Sequence, residues 1–149
     1  MTVFEKLNLK HSRIVVLNAP ASFEPELAAL DKVTVQRDLK GSDDIGFALA
    51  FVTTQPEVDT LGKSIGKRAK GDAVVWLAYP KGTSKKYKSA INRDNRWRVL
   101  GEAGFEPVRM VAIDEDWSAV RFRRVEFIKT LTRPGEVRMT AKGKARQKN

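Results

Sequence analysis

The sequence has no cysteine and a single histidine. The first absence excludes disulfides, thiolate zinc sites and a cysteine nucleophile. The second excludes a histidine-rich metal site. Long hydrophobic runs are also missing. The longest are about eight residues, too short to span a bilayer, so no membrane partner is expected. The start, Met1-Thr2-Val3-Phe4-Glu5-Lys6, lacks a basic segment followed by an apolar one and does not read as a signal peptide. The expectation is a cytoplasmic protein with no metal site and no cofactor. What is present suffices for a fold. The chain has 149 residues, 42% hydrophobic and 31% charged, enough for one domain that buries most of its unfolded surface.

The formal net charge of +10 is unevenly placed. Residues 1–79 hold 10 Lys+Arg and 10 Asp+Glu, whereas residues 80–149 hold 18 and 8. The second half therefore carries the whole imbalance. Such asymmetry accompanies anionic partners, nucleic acid or acidic protein among them, although surface charge also serves solubility.

Apolar β-branched residues in Arg13-Ile14-Val15-Val16-Leu17 predict a buried strand that ends in the turn Asn18-Ala19-Pro20. A short helix follows, with Pro25 in its first turn and Leu27, Ala28 and Leu30 facing inward. Val33–Gln36 predicts a brief second strand and Gly41–Asp44 a polar loop. Ile45–Val52 is almost unbroken apolar sequence, as in a parallel strand covered on both faces. Thr54 and Glu57 have the spacing of a capping box. The helix behind it carries Val58, Leu61 and Ile65 on one stripe and is expected to stop at Gly71. Ala73–Tyr79 predicts a second central strand, broken at Pro80-Lys81-Gly82. A third helix is expected from a cap at Asn92, with Trp97, Leu100 and Ala103 inward and Gly104 as its stop. Val108–Ile113 and Trp117–Arg124 predict an antiparallel pair about the acidic turn Asp114-Glu115-Asp116. Phe127, Ile128 and Leu131 are expected to dock on it. Residues 1–128 thus read as one domain, and residues 129–149 as a flexible basic tail.

Alternating strands and helices imply parallel pairing with right-handed crossovers. The expected architecture is α/β, a three-layer Rossmann-like sandwich around a mostly parallel six-stranded sheet. The expected strand order is 2-1-3-4-6-5, with a C-terminal antiparallel hairpin. That order resembles the class I methyltransferase form of the Rossmann fold with one strand–helix unit missing. Three segments resemble, more narrowly, a bacterial domain-of-unknown-function family of short stand-alone domains of this kind. They are Val15-Val16-Leu17-Asn18-Ala19-Pro20, Trp76-Leu77-Ala78-Tyr79-Pro80-Lys81-Gly82, and Ala112-Ile113-Asp114-Glu115-Asp116-Trp117-Ser118-Ala119-Val120-Arg121-Phe122. The resemblance runs from about residue 7 to about residue 124. It implies a fold and no activity.

Methyltransferases and dinucleotide enzymes use glycines after the first strand, where the backbone approaches the cofactor. Here no glycine precedes Gly41, and Pro20 has no N–H to donate. That argues against ordinary adenosylmethionine or NAD binding. Asp38, about twenty residues beyond the first turn, stands near the place of a ribose-binding carboxylate, though most such carboxylates are loop residues. Ligands of open α/β sheets bind outside the carboxyl ends of the strands. There Lys81, Gly82, Thr83, Ser84 and Asn18 make a candidate anion site, set against the plainer reading of a turn with a solvated lysine. Asp114, Glu115 and Asp116 read as a structural turn, Trp117 as a core anchor and His11 as a surface residue. Lys85, Lys86, Tyr87, Lys88, Arg93 and Arg96, with Lys142, Lys144, Arg146 and Lys148 of the tail, form a candidate surface for an anionic partner. No RNP motif, Gly-x-x-Gly clamp or zinc finger is present. Neither a nucleophile nor a general base stands out, so the reading leans against catalysis. Two functions remain open. One is a non-catalytic domain binding an anionic partner through its basic half. The other is a site for a small nucleotide-like ligand, or a divergent methyltransferase-like enzyme, at the strand ends.

Overall fold

Residues 2–91 and 95–128 are described by the structure, a computed structural model. Strand β1 (Arg13–Leu17) is flanked by the one-turn helix α1 (Val3–Lys6) and by α2 (Glu24–Ala28). After β2 (Thr34–Gln36) come β3 (Ile45–Phe51), α3 (Gln55–Arg68) and β4 (Ala69–Pro80). Helix α4 (Arg98–Glu102) leads to the hairpin of β5 (Phe105–Ala112) and β6 (Trp117–Arg124). The sheet order is β2-β1-β3-β4-β6-β5, as expected. Strands β2, β1, β3 and β4 are parallel, and β6 is antiparallel to both β4 and β5.

The unbroken apolar run of β3 has its cause in the layers. Alternate residues of β3 and β4 enter two separate cores. Ala48, Ala50, Val75 and Leu77 pack with Val58, Ile65 and Leu100 beneath α3 and α4. Phe47, Leu49, Phe51 and Trp76 pack with Phe4, Leu7, Phe23 and Leu27 beneath α1 and α2. A strand with one wet face would have needed polar residues at every second position. The α1 side is pinned by a long-range contact, in which the buried Trp76 indole donates to the Leu7 carbonyl at 2.9 Å. Close approach of α4 to α3 depends on Gly66, where a methyl group would stand 2.9 Å from the Ala103 Cβ.

Several local expectations differ from the structure. Leu27 is buried in α2, but Ala28 is exposed; Phe23, in the 3-10 turn before the helix, fills the inner face instead. Helix α3 ends at Arg68 and runs directly into β4 at Ala69, so Gly71 does not stop it. Gly71 lies within β4 at φ +57°. There the pairing moves from Ile45–Ala69 to Phe47–Val74, and β4 bulges outward. Helix α4 is shorter than the pattern suggested and is preceded by a turn over residues 95–97, while Gly104 follows it at φ +92°. The cap proposed at Asn92 and the contact of Leu131 lie outside the described residues. Val125 and Ile128 are buried and Phe127 is exposed. His11 is half-buried rather than superficial, with its ring 6.0 Å from Phe47 and close above Gly46. No helix among the described residues is long and apolar enough to cross a membrane.

The junction of α3, α4 and β6 is closed by Arg124. Its guanidinium donates to the carbonyls of Ala69 (2.6 Å), Gly66 (3.3 Å) and Ala103 (3.4 Å) and lies 4.6 Å from the Phe105 ring centroid. A cation at helix ends meets the unpaired carbonyls and the negative end of the dipole. Charge-assisted bonds of this kind are worth about 1.5–3 kcal/mol. Arg124→Met is expected to destabilise the protein by about 2–3 kcal/mol, read as a lower urea midpoint at unchanged slope. Arg124→Lys should recover little, because one ammonium cannot reach carbonyls on both helices.

Candidate functional site

The topological switch lies between β1 and β3, since the chain leaves β1 toward β2 on one side and returns to β3 on the other. Open α/β sheets take ligands at that crevice. Here Asn18 adopts φ +59°, a left-handed conformation that asparagine tolerates better than most residues. Its Nδ2 donates across the crevice to the Phe51 carbonyl at 3.4 Å. Below the turn, Phe23 packs on Phe51 at 5.0 Å and Phe51 on Trp117 at 5.1 Å. Asp38 is held by its own loop, where it accepts from the Lys40 N–H at 3.1 Å and from Gln36 Nε2 at 3.4 Å. Arg37 beside it makes a two-bond pair with Glu24, at 2.8 and 2.6 Å, that ties the end of β2 to the start of α2. The Arg37 hydrogen bonds hold the Glu24 carboxyl below its ordinary pKa.

At the next strand end, Glu57 fills the N-terminus of α3. Its Oε1 accepts from the backbone N–H groups of Thr53 (2.9 Å) and Thr54 (3.1 Å) and from both hydroxyls. Thr54 Oγ1 accepts in return from the Glu57 N–H, completing the capping box. Burial alone would raise the Glu57 pKa, but the four bonds to Thr53 and Thr54 outweigh it and hold the carboxyl below its ordinary value. The helix N-terminus thus carries an internal anion where a bound phosphate would otherwise be favoured.

The open cleft lies one strand further on, at the end of β4. The chain leaves Pro80 into a loop tied to the β5–β6 turn. The Lys81 N–H donates to the Asp116 carbonyl at 2.8 Å, and Ser84 Oγ donates to Asp116 Oδ1 at 2.8 Å. Ser84 Oγ also accepts from the Tyr87 N–H at 3.0 Å. The Tyr87 ring lies 4.9 Å from Trp117, with Lys86 Nζ 5.5 Å above it. The loop then crosses the end of β3, where the Ala90 N–H donates to the Thr53 carbonyl at 2.7 Å. The Arg96 guanidinium returns over the rings of Tyr79 (5.4 Å) and Trp97 (5.0 Å). These segments enclose a cleft of about 650 Å³.

The cleft joins residues from both candidate sets. Lys81, Gly82 and Ser84 line it together with Tyr87, Lys88 and Arg96. Thr83, Lys85 and Lys86 are exposed and stand outside the lining. Asn18 and Asp38 do not join them. Strand β3 separates β1 from β4, so Asn18 and Lys81 are two strands apart, about 10 Å at ordinary strand spacing. Arg93 and the tail residues Lys142, Lys144, Arg146 and Lys148 lie outside the described residues. Tyr79 and Ile91, which are not among the residues the sequence singles out, also line the cleft. Tyr79-Pro80 at the end of an apolar strand was a signal for Tyr79, but nothing local announces that Arg96 stacks on it. Asp114 is structural, as its Oδ1 accepts from the Asp116 and Trp117 N–H groups at 2.8 and 2.9 Å. No group of three or more potential metal-ligating side chains occurs among the described residues.

No protein-family model matches the sequence, and no curated protein does. Solved structures do match. A SAM-dependent methyltransferase from Aquifex aeolicus superimposes with a TM-score of 0.57 over 83% of this chain and 88% of its own, at 14% identity. A TehB-like SAM-dependent methyltransferase from Corynebacterium glutamicum superimposes with a TM-score of 0.51 over 82% and 85%, at 7% identity. Identities this low speak of fold alone. The residues at the switch point do not fit adenosylmethionine in the ordinary way. Pro20 offers no N–H, the Asn18 amide spans the crevice, and Asp38 is bonded within its own loop.

Because the Glu57 pKa is depressed in the folded state, its contribution is present above the unfolded value of about 4.3 and is lost as pH falls through the folded value. Glu57→Gln is expected to cost about 1 kcal/mol at neutral pH and to flatten the loss of stability between pH 5 and 3. Urea midpoints measured across that range check both the size and the sign. The fold established by these observations is the methyltransferase-like Rossmann fold.

Proposed function

We propose that the protein is a non-catalytic Rossmann-like domain that binds a phosphate-bearing partner, nucleic acid in preference to acidic protein, through its basic second half. The observation that carries this reading is the cleft at the end of β4. Lys81, Lys88 and Arg96 line it with Tyr79 and Tyr87, and among the described residues no carboxylate does. Among the described residues none of the three cations has an ion-pair partner. Lysine and arginine neutralise phosphates and release counterions, and aromatic walls accept a stacked base. An acidic peptide would use the cations and leave the aromatic walls idle.

In this reading residues 1–128 are the binding domain, and the tail from residue 129 adds sequence-independent charge. In the same reading the protein acts in the cytoplasm and belongs to the bacterial family that the segments Val15–Pro20, Trp76–Gly82 and Ala112–Phe122 resemble. A second reading has one observation in its favour. A volume near 650 Å³ falls in the range of small-molecule pockets, so a free nucleotide is the alternative occupant. No step of methyl transfer follows from either reading.

Fluorescence anisotropy with a labelled oligothymidylate and oligouridylate at 50 mM salt tests the proposal. Binding is expected to weaken steeply with salt. The double change Lys81→Ala with Arg96→Ala should weaken it about tenfold and reduce the salt slope. Removing residues 129–149 should reduce the slope further. Absence of binding at 50 mM salt removes the nucleic-acid reading. Saturable binding of AMP or ADP, lost in the same double variant, would establish the second.

A further inference from the structure

A second concentration of cationic groups lies away from the cleft, on the β5–β6 hairpin. Its origin is a bulge. Pro107 pairs with Phe122, but the next paired residue of β5 is Arg109, opposite Arg121. Val108 is therefore an extra residue; in an unbroken register, Val108 would stand opposite Arg121. Bulges re-aim side chains, and this one sets two arginines directly across from each other. Like charges directly opposed in a sheet are destabilising. Arg121 also pairs with Trp76 of β4, which places it on the α1–α2 side of the sheet, with Arg123 two residues further along the same face.

Among the described residues the nearby carboxylates offset the pair only in part. Both oxygens of Asp72 are taken by Arg123, at 2.7 and 2.6 Å. Glu106 stands opposite Arg123 in register, beyond Arg121, and is fully buried. Arg109 is exposed and makes no ion pair among the described residues. Arg121 is half-buried, with its Nε sealed from solvent and, among the described residues, without an acceptor. Burial first, then Arg123 and Arg109, push its guanidinium below the ordinary pKa against the pull of Asp72.

We infer that Arg109 and Arg121 form a second oxyanion site, on the β5–β6 face, that takes a phosphate group. A guanidinium matches a phosphate through paired N–H donors, and two of them on facing strands can hold one group from both sides. Asp72 orients Arg123 and keeps it from competing as a third ligand. The bound anion removes the cross-strand repulsion that the bulge creates. This site is independent of the cleft reading.

The test uses the full chain in low-salt buffer, with inorganic pyrophosphate as one probe and a twelve-residue oligothymidylate as the other. Binding is followed by thermal shift and calorimetry. Arg109→Gln is the principal variant, because the side chain is exposed and its loss leaves the core untouched; Arg121→Gln is the second. Without anion, R109Q is expected to melt no lower than the wild type, since a repulsion is removed. Its pyrophosphate affinity should fall about tenfold, while Lys63→Ala, which removes one charge from the exposed surface of α3, leaves a wild-type pyrophosphate response. A response to pyrophosphate alone assigns the site to free phosphate compounds. A response to the oligonucleotide that R109Q weakens and Lys63→Ala retains assigns it to a phosphodiester backbone. The inference is overturned if R109Q binds both probes as the wild type does, or if the wild type responds to neither.

Discussion

The pairing of β3 with β4 is the contact on which the remaining structure depends. Both strands are covered on both faces, and their side chains seed both cores. Each layer of helices is short apart from α3, so neither layer holds together without the sheet between them. The same pairing fixes where chemistry can occur. It brings the carboxyl ends of two apolar strands side by side, and the polar segments leaving them must gather there. Segment 81–91 crosses from one end to the other and is anchored at Asp116 and at Thr53.

The sheet was readable because its signals are local. Ile45–Val52 and Ala73–Tyr79 are apolar without interruption, and Thr54 with Glu57 marks the one long helix. The parallel pairing of β1, β3 and β4 then accords with right-handed crossovers. Boundaries were less readable. Gly71 resembles a helix stop, yet α3 ends at Arg68 because Arg124, more than fifty residues later, supplies the cap that a glycine turn would have supplied. Ala28 has helical spacing but points outward, since Phe23 takes the inner position. His11 lacks any sequence cue for its place above Gly46.

The candidate site divides along the same line. Lys81 and its neighbours were legible as a basic loop after a strand. The separation of Asn18 from Lys81 was not, because it depends on β3 lying between them. Nor was the Arg96 stack on Tyr79, which joins residues brought together only by the fold. The switch-point crevice of the Rossmann class is retained in outline here, but its polar groups bond to one another. The accessible cationic groups lie two strands away.

Glu57 has a consequence for recognition itself. In phosphate-binding α/β proteins the fixed partial charge of a helix end does part of the selecting, and a backbone cannot adjust to a misfitting guest. In this chain that end is neutralised from within by a carboxylate that four donors hold in place. In the proposed function, attraction is left to lysines on long, rotatable stems and to one stacked arginine. A surface of that kind would tolerate variation in the shape and spacing of a bound group and would discriminate by amount of charge more than by outline.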